Sequence, residues 1–380
     1  MHFDLSEERQ MLADTAGRFI ADRYDIKTRH ANAARDEGFS REIWEQFAEL
    51  GLIGALLPAE VGGFGGTGED IAVVFERLGN GLVVEPFLAS GILGAHPIVA
   101  VGSDAQKGLL EDVIAGKLLL ALAHGEPDSR YELARVSTRA EQDGAGWRII
   151  GNKAVVLNGD SADKLVVSAR TAGDADDRDG ISLFLVDAAA EGLIRRGCGT
   201  VDGGRAAEVT LDRVAVPADA MIGAAGAAHD VLEVTHARGI TAIAAEAFGA
   251  MEVARDLTLD YLKTRRQFGR TIGSFQALQH RMVDVTLEIE QARSAVLLAV
   301  STLEADRLTR EQNVSAAKNL IGRVGRMVAE ESIQLHGGIA MTWEYALGHY
   351  AKRLTMIDHQ LGDTDYHLAR YIALSREAAS

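Results

Sequence analysis

The placement of proline most strongly limits what this chain can fold into. All five prolines lie at or before Pro217, and residues 218–380 contain none. Proline removes a backbone hydrogen-bond donor and clashes with the preceding helical turn, so long helices are expected only where it is absent. Apolar spacing in this stretch predicts a bundle of four long antiparallel helices. Their predicted bounds are His229–Thr264, 274 to about 306, 312–337, and a last helix that includes 363–379.

The residues before this stretch show two other patterns. Residues 1–117 have helical spacing, and Ser6 is placed to cap a first helix. Residues 118–226 contain short β-branched runs between turn residues, with Asn152 predicted at one turn. The prediction is an α+β protein, mainly α. It has an N-terminal helical domain (1–117), a small middle β domain (118–226) and a C-terminal four-helix bundle domain (227–380).

One stretch of the bundle, from Tyr261 to Val285, gathers cations in an otherwise acidic chain. We predict a helix, a tight turn and a second helix, because the glycine of Phe268-Gly269 accepts the left-handed backbone that closes a helix. Ser274 is expected to be the N-cap of the second helix. The cations around the turn fit either a helix dipole or a phosphate, whose oxygens suit guanidinium groups. They are Arg265, Arg266 and Arg270.

Two motifs in this half of the chain resemble those of a known family. The first comprises Tyr261, Arg265, Phe268, Gly269, Phe275 and Gln276, which stand as in the acyl-CoA dehydrogenase flavoproteins. The second is Gln334-x-x-Gly337-Gly338, farther along the chain. The resemblance covers essentially the whole chain. It implies the same order of a helical domain, a small β domain and a helical bundle.

The resemblance implies FAD as the cofactor. In the family, the arginine and phenylalanine of the first motif reach the FAD diphosphate and adenine of a neighbouring subunit. Carried over, this role falls to Arg265 and Phe268, with Gln276 nearby. The second motif closes over the same diphosphate, which adds Gln334, Gly337 and Gly338, although a helix C-cap is an alternative role for the two glycines. Because the family site spans subunits, an oligomer is expected, with a tetramer as the predicted state.

The middle domain departs from the family pattern at two positions. Family members usually have an aromatic and a hydroxyl residue after a Gly-x-Lys turn, where this chain has Ala154 to Leu157 after Gly151-Asn152-Lys153. The usual Thr-Glu-Pro segment is Gly125-Glu126-Pro127 here. Both changes remove a hydroxyl group that contacts the flavin in the family.

The catalytic base is the least regular part of the resemblance. Most of the family places a glutamate before the last helix, and two ways of counting put that position at Leu361 or Asp363. Asp363 is the only carboxylate of the two and is the predicted base, with a helix N-cap as its alternative role. A minority of the family carries the base on the first bundle helix, at a place that here holds Ala237-Arg238 or Gly239 and no acid. Glu246 lies about two turns along a similar face and is a candidate base or a structural polar group. Arg238 on that helix is predicted to bind the acyl-CoA, as the family arginine does.

The composition excludes several other classes of protein. The net charge of −16 and the pI of about 5.2 argue against binding to nucleic acid or to an anionic membrane. No apolar run is long enough to span a bilayer, and the N-terminus lacks the features of a signal peptide. The single cysteine, Cys198, fits a reducing compartment, so a cytoplasmic location is expected. No metal is predicted, because His280, His336, His359 and His367 lack metal-ligand spacing.

A glycine-rich segment matches the dinucleotide pattern G-x-G-x-x-G at Gly63, Gly65 and Gly68. A phosphate site there requires a preceding strand, which Pro58 interrupts, and Glu69 would repel the phosphate. We therefore expect a surface loop.

The predicted function is FAD-dependent α,β-dehydrogenation of an acyl-CoA thioester in lipid metabolism. As the family implies, electrons would pass to an electron-transfer flavoprotein. The chemistry requires a two-electron acceptor, a base beside the α-carbon and polarisation of the thioester carbonyl. One alternative is a catalytically silent subunit that supplies the FAD arm in a hetero-oligomeric acyl-CoA dehydrogenase. Another is a related flavin oxidase that acts on a different substrate and consumes oxygen.

Overall fold

The computed structural model describes residues 5–379, which group into two compact units. The bundle unit comprises the described parts of Met1–Arg29, Gly68–Val83 and Ile240–Ser380. The sheet unit comprises His30–Thr67 and Val84–Gly239. The division into three domains at residues 117 and 226 stays a prediction.

The chain is mainly helical with a mixed sheet in the middle, which confirms the predicted α+β class. The helices are α1 Glu7–Arg23, α2 Ile26–Ala33, α3 Arg41–Glu49, α4 Gly68–Gly81, α5 Ala95–Val101, α6 Asp104–Gly108, α7 Leu110–Ile114, α8 His229–Thr264, α9 Gln276–Thr302, α10 Arg307–His336, α11 Leu347–His359 and α12 Thr364–Glu377. The strands are β1 Leu120–Ala123, β2 Arg139–Asp143, β3 Gly146–Leu157, β4 Lys164–Arg170, β5 Ile181–Asp187, β6 Leu193–Gly199, β7 Arg205–Val216, β8 Met221–Ile222, β9 Arg266–Gln267 and β10 Arg270–Thr271. A π-helical segment, Phe87–Gly94, precedes α5.

The bundle unit contains α8 from Ile240 onward and the other predicted long helices α9, α10 and α12. Helix α8 has the predicted bounds, and α10 packs against α9, α11 and α12. The structure adds a shorter helix, α11, between α10 and α12. Helices α4 and α8 approach closely through two glycines: a Cβ at Gly79 would overlap the carbonyl oxygen of Glu246, and one at Gly249 would overlap that of Glu76. Small residues at this crossing thus set the helix spacing.

Helix α1 begins as predicted. The backbone N–H of Arg9 donates to Ser6 Oγ at 3.3 Å, which confirms Ser6 as the N-cap. Among the helices of residues 5–379, none combines the length and apolar character needed to cross a bilayer.

The sheet unit is built on strands in the order β6-β7-β3-β2-β4-β5-β8, with β1 paired in parallel to β4. The predicted turn at Asn152 is wrong, because β3 runs through Asn152, which pairs with Thr210 of β7. The β3–β7 register shifts on both sides of this residue, between Ile149 and Gly151 and between Lys153 and Val156. These bulges interrupt the apolar alternation, which explains why the sequence resembles a turn.

Candidate functional site

The turn after α8 is a two-stranded hairpin. Strands β9 and β10 pair antiparallel, and between them Phe268 and Gly269 have φ of 51° and 79°. Two left-handed residues in succession are typical of a two-residue hairpin loop. The prediction that Gly269 closes the helix is therefore wrong, although its left-handed backbone is confirmed. Ser274 is not the predicted N-cap either, since its hydroxyl donates to Thr271 O at 2.7 Å and Phe275 precedes the first residue of α9.

The hairpin presents groups that suit a dinucleotide. Arg265 is exposed and its side chain has no hydrogen-bond or ion-pair partner within residues 5–379, and the Phe268 side chain is 88% exposed. The Arg270 guanidinium lies 4.0 Å from the centroid of the Phe275 ring. Phe275 supplies no side-chain cap to α9, so that helix begins at the exposed Gln276 with its positive end uncovered. The guanidinium and the helix amides can donate hydrogen bonds to a diphosphate, and the aromatic ring can stack on an adenine.

The second motif meets the first through two rings. Tyr261 at the end of α8 stacks on His336 of α10, with centroids 4.5 Å apart and planes inclined by 23°. His336 Nδ1 lies 2.9 Å from Ser332 O, and Nε2 lies 3.0 Å from the Tyr345 hydroxyl. Burial lowers the pKa of His336. The neutral ring therefore donates from Nδ1 and accepts the Tyr345 hydroxyl at Nε2. This stack joins the two predicted cofactor motifs.

The glycines after His336 differ in their roles. Gly337 is the C-cap of α10, with φ 69° and ψ −149°, and its N–H donates to Ile333 O. This is the C-cap role that the sequence left open. A Cβ on Gly338 would meet no heavy atom within 4 Å, and Gln334 is exposed on the last turn of α10. The open space at Gly338 lets a phosphate approach its backbone, so Gly338 fits the predicted cofactor role, whereas the Gly337 N–H is already used in the C-cap.

Asp363 lies at the N-terminus of α12, at the end of the turn from α11. Its Oδ1 accepts the backbone N–H of Tyr366 at 2.8 Å, so the side chain is the N-cap of the helix. The two preceding residues have left-handed backbone, with φ of 57° at Leu361 and 107° at Gly362. The catalytic role of Asp363 stays a prediction.

Glu246, the other candidate acid, lies within the bundle unit. It is 5% exposed, and both of its carboxylate oxygens accept hydrogen bonds from Arg353 of α11. This contact supports the structural role that the sequence left open for Glu246.

Arg238 belongs to the sheet unit. The side chain is buried and its guanidinium donates to the carbonyl oxygen of Gly66 in the glycine-rich loop. Arg238 thus anchors that loop, and its contact with acyl-CoA stays a prediction.

A buried ion pair in the sheet unit was not assigned from the sequence. Lys153 Nζ donates to Glu126 Oε1 at 2.7 Å, and the Lys153 side chain is fully buried. Glu126 also accepts the backbone N–H groups of Ser137 at 2.7 Å and Thr138 at 3.0 Å. Burial lowers the pKa of Lys153 to about 8 against the opposing charge of Glu126. The pair fixes the Gly125-Glu126-Pro127 segment against β3, and the lysine of the Gly-x-Lys pattern was the available signal.

His124 continues this polar cluster. Its Nδ1 lies 2.9 Å from Ser168 Oγ, which itself accepts a hydrogen bond from Lys153 Nζ at 3.0 Å. Ser168 Oγ thus makes hydrogen bonds with both His124 and Lys153. Burial, followed by the charges of His236 and Lys153, lowers the pKa of His124 well below its ordinary value. The imidazole is neutral and takes part in a satisfied network. Within residues 5–379, no group of three or more His, Cys, Asp or Glu side chains is arranged to hold a metal ion.

Comparison with known proteins finds matches to one protein family in all three parts of the chain. Residues 6–117 match the acyl-CoA dehydrogenase N-terminal domain, residues 121–214 the middle domain and residues 231–372 the C-terminal domain. A probable acyl-CoA dehydrogenase of Bacillus subtilis (strain 168), YngJ, is 30% identical over 357 residues, which cover 91% of this chain and 92% of YngJ.

Two solved structures are similar over nearly their full length. One is a variant of the steroid ACAD Tcur3481-Tcur3483, with a TM-score of 0.88, 31% identity and coverage of 98% of this chain and 99% of that one. The other is an FAD complex of PigA, with a TM-score of 0.91, 25% identity and coverage of 100% and 99%.

Proposed function

Because the chain belongs to the acyl-CoA dehydrogenase family, we propose that it introduces an α,β double bond into an acyl-CoA thioester. It is an oxidoreductase acting on CH–CH bonds, and FAD is its cofactor. The observation that carries the proposal is the open hairpin after α8, where the Arg265 guanidinium, which has no partner within residues 5–379, stands near an 88%-exposed Phe268.

The hairpin would bind the diphosphate and adenine of FAD. Arg265 supplies the guanidinium donors and Phe268 the ring, while Gln276 lies at the uncapped start of α9. Gln334, Gly337 and Gly338 would close over the same diphosphate. Exposure of all these groups in a single chain is consistent with a cofactor held by a neighbouring subunit. An oligomer, with a tetramer as the proposed state, follows from this arrangement.

The reaction removes a proton from the α-carbon and a hydride from the β-carbon. Asp363 would accept the α-proton and become a carboxylic acid, which later returns the proton to water. FAD, when bound, would supply the two-electron acceptor for the hydride. Arg238, whose guanidinium is fixed on the Gly66 carbonyl, would bind the acyl-CoA.

An electron-transfer flavoprotein is the proposed acceptor of the electrons, within lipid metabolism. A cytoplasmic location is proposed with it and rests on the lone free cysteine, Cys198. Neither nucleic acid nor membrane is a proposed partner of this acidic chain.

A second candidate function is a silent subunit that supplies the FAD arm to an active partner chain. Two contacts favour it: Asp363 caps α12, and Glu246 is paired with Arg353. Both candidate bases therefore already have structural roles.

The test uses the purified full chain. We expect bound FAD, turnover of an acyl-CoA as a homo-oligomer with an artificial electron acceptor, and no oxygen consumption without one. Turnover only after a partner chain is added would favour the silent subunit. Absence of FAD binding, alone or with a partner, would sink both candidates.

A further inference from the structure

The turn that leads to Asp363 is held by a buried lysine from another helix. Lys318 of α10 is fully buried, and its Nζ donates to the carbonyl oxygens of Asp358 at 2.9 Å and Gly362 at 2.6 Å. Within residues 5–379, no carboxylate lies at ion-pair distance from this ammonium group. Its hydrogen bonds are directed at the main chain of the last turn of α11 and of the turn that follows it.

Two further side chains hold the same turn. Asn319, next to Lys318 on α10, donates from Nδ2 to Thr364 O at 2.9 Å. The His367 Nε2 of α12 lies 2.9 Å from Leu361 O. The carbonyls on both sides of Asp363 thus have donors that fix the backbone.

A buried ammonium group is costly to maintain. Burial lowers the pKa of Lys318 to about 8, although Asp358 and Asp363 oppose the shift. An apolar side chain of similar length would fill the same space without that cost. The retained charge therefore indicates a demand for donors at the Asp358 and Gly362 carbonyls. The left-handed Leu361 explains this demand, because such a backbone at a residue with a side chain persists only where its surroundings hold it.

We propose that Lys318 is a positioning residue for proton transfer, which fixes the turn through the Asp358 and Gly362 carbonyls so that the Asp363 carboxylate keeps one orientation. The inference rests on the proposed function, since it concerns the step assigned to Asp363. In this role Lys318 contacts neither substrate nor cofactor and acts only through the backbone that it holds.

The test compares Lys318→Met with Lys352→Met in the FAD-loaded oligomer. The control removes the same charge from α11, where Lys352 lies 4.9 Å from the Trp343 ring centroid. We expect Lys318→Met to lower kcat by about tenfold or more, because small displacements of a reacting group have effects of this size. KM and FAD content should be unchanged. The isotope effect with an α-deuterated acyl-CoA should rise, and the amides of Tyr366 and His367 should exchange faster. Lys352→Met should match the wild type.

A wild-type kcat and isotope effect in Lys318→Met would overturn the proposal. A fall in kcat that is fully explained by a lower FAD content or a lower fraction of folded protein would overturn it too. If Lys318→Met does not fold, Asn319→Ala removes only the donor to Thr364. A folded Asn319→Ala should show a smaller fall in kcat and the same rise in isotope effect, and wild-type values there would overturn the proposal too. Failure of the proposed function can be distinguished from failure of this inference, because the wild type itself would then turn over no acyl-CoA.

Discussion

Glu246 and Arg353 form a two-point ion pair inside the bundle unit. Glu246 Oε1 lies 2.6 Å from Arg353 Nε, and Oε2 lies 2.7 Å from Nη2. The same arginine donates from Nη1 to Gln360 Oε1 at 3.2 Å. Through Arg353, Glu246 on α8 is thereby linked to Gln360, the residue that ends α11.

Breaking this pair from one side should destabilise the protein strongly. Arg353→Met leaves the Glu246 carboxylate buried without its partner, and the cost of such a change is about 3 kcal/mol or more. The double variant Glu246→Gln/Arg353→Met should recover much of the loss, because no unpaired charge remains. Urea unfolding of the wild type, both single variants and the double variant measures the coupling. Additive losses would show that the pair does not act as a unit.

Removal of the free guanidinium on the hairpin should weaken FAD binding. Arg265→Ala should raise the dissociation constant of FAD by roughly tenfold to a hundredfold, as the loss of charge-assisted hydrogen bonds predicts. Arg326→Ala is the matched control, because Arg326 is also exposed and, within residues 5–379, forms an ion pair only with Glu330 one helical turn away. Reconstitution of the apoprotein with FAD gives both constants. Equal effects in the two variants would indicate a general charge effect rather than a site.

The neighbouring glycines should separate folding from cofactor binding. Gly337 has a φ and ψ that residues with a side chain rarely adopt, so Gly337→Ala should cost about 1–3 kcal/mol of stability. Gly338→Ala meets open space and should leave stability unchanged. If the Gly338 amide approaches a phosphate, its new methyl group should still weaken FAD binding. Thermal unfolding and FAD titration of both variants check this, and unchanged FAD affinity in Gly338→Ala would remove Gly338 from the cofactor site.

The stability contributed by Lys318 should depend on pH. Burial lowers its pKa to about 8 in the folded protein, from an ordinary value of 10.5. Between these values the unfolded chain binds more protons than the folded chain, so the free energy of unfolding rises with pH. Relative to Lys318→Met, the wild type should gain about 1–2 kcal/mol between about pH 8 and about pH 10. Urea unfolding of both proteins at both pH values measures the difference in their free energies of unfolding. That difference should not change with pH if Lys318 is not buried as described.

The sequence predicted the elements whose signals are local. Helix α8 has its predicted bounds of His229–Thr264, because a long proline-free run of small and apolar residues permits little else. Ser6 caps α1 through a contact three residues away. The hairpin at Phe268-Gly269 differed from the prediction, because one left-handed glycine fits a helix end as well as a hairpin. The antiparallel pairing of β9 and β10 shows that the structure is a hairpin.

The contacts that hold the candidate site were not predictable in this way. Lys318 and Gly362 are 44 residues apart, and Glu246 and Arg353 are 107 apart. The local sequence pattern around Lys318 or Glu246 does not predict its partner, since a lysine or glutamate on a helix is more often solvated. The buried Lys153 gave a weak signal through its Gly-x-Lys pattern, but its pairing with Glu126 depends on the fold of the sheet unit.

The most direct measurement of the proposed activity is anaerobic bleaching of bound flavin by acyl-CoA in the wild type, Asp363→Asn and Asp365→Asn. Asparagine caps a helix as well as aspartate does, so Asp363→Asn removes the base while α12 keeps its N-cap. Asp365 is exposed in the first turn of the same helix and serves as the matched control. We expect rapid bleaching in the wild type and Asp365→Asn, and none in a folded, FAD-loaded Asp363→Asn. Wild-type bleaching in Asp363→Asn would contradict its role as the base, and an FAD-loaded wild type that no acyl-CoA bleaches would contradict the proposed activity of this chain.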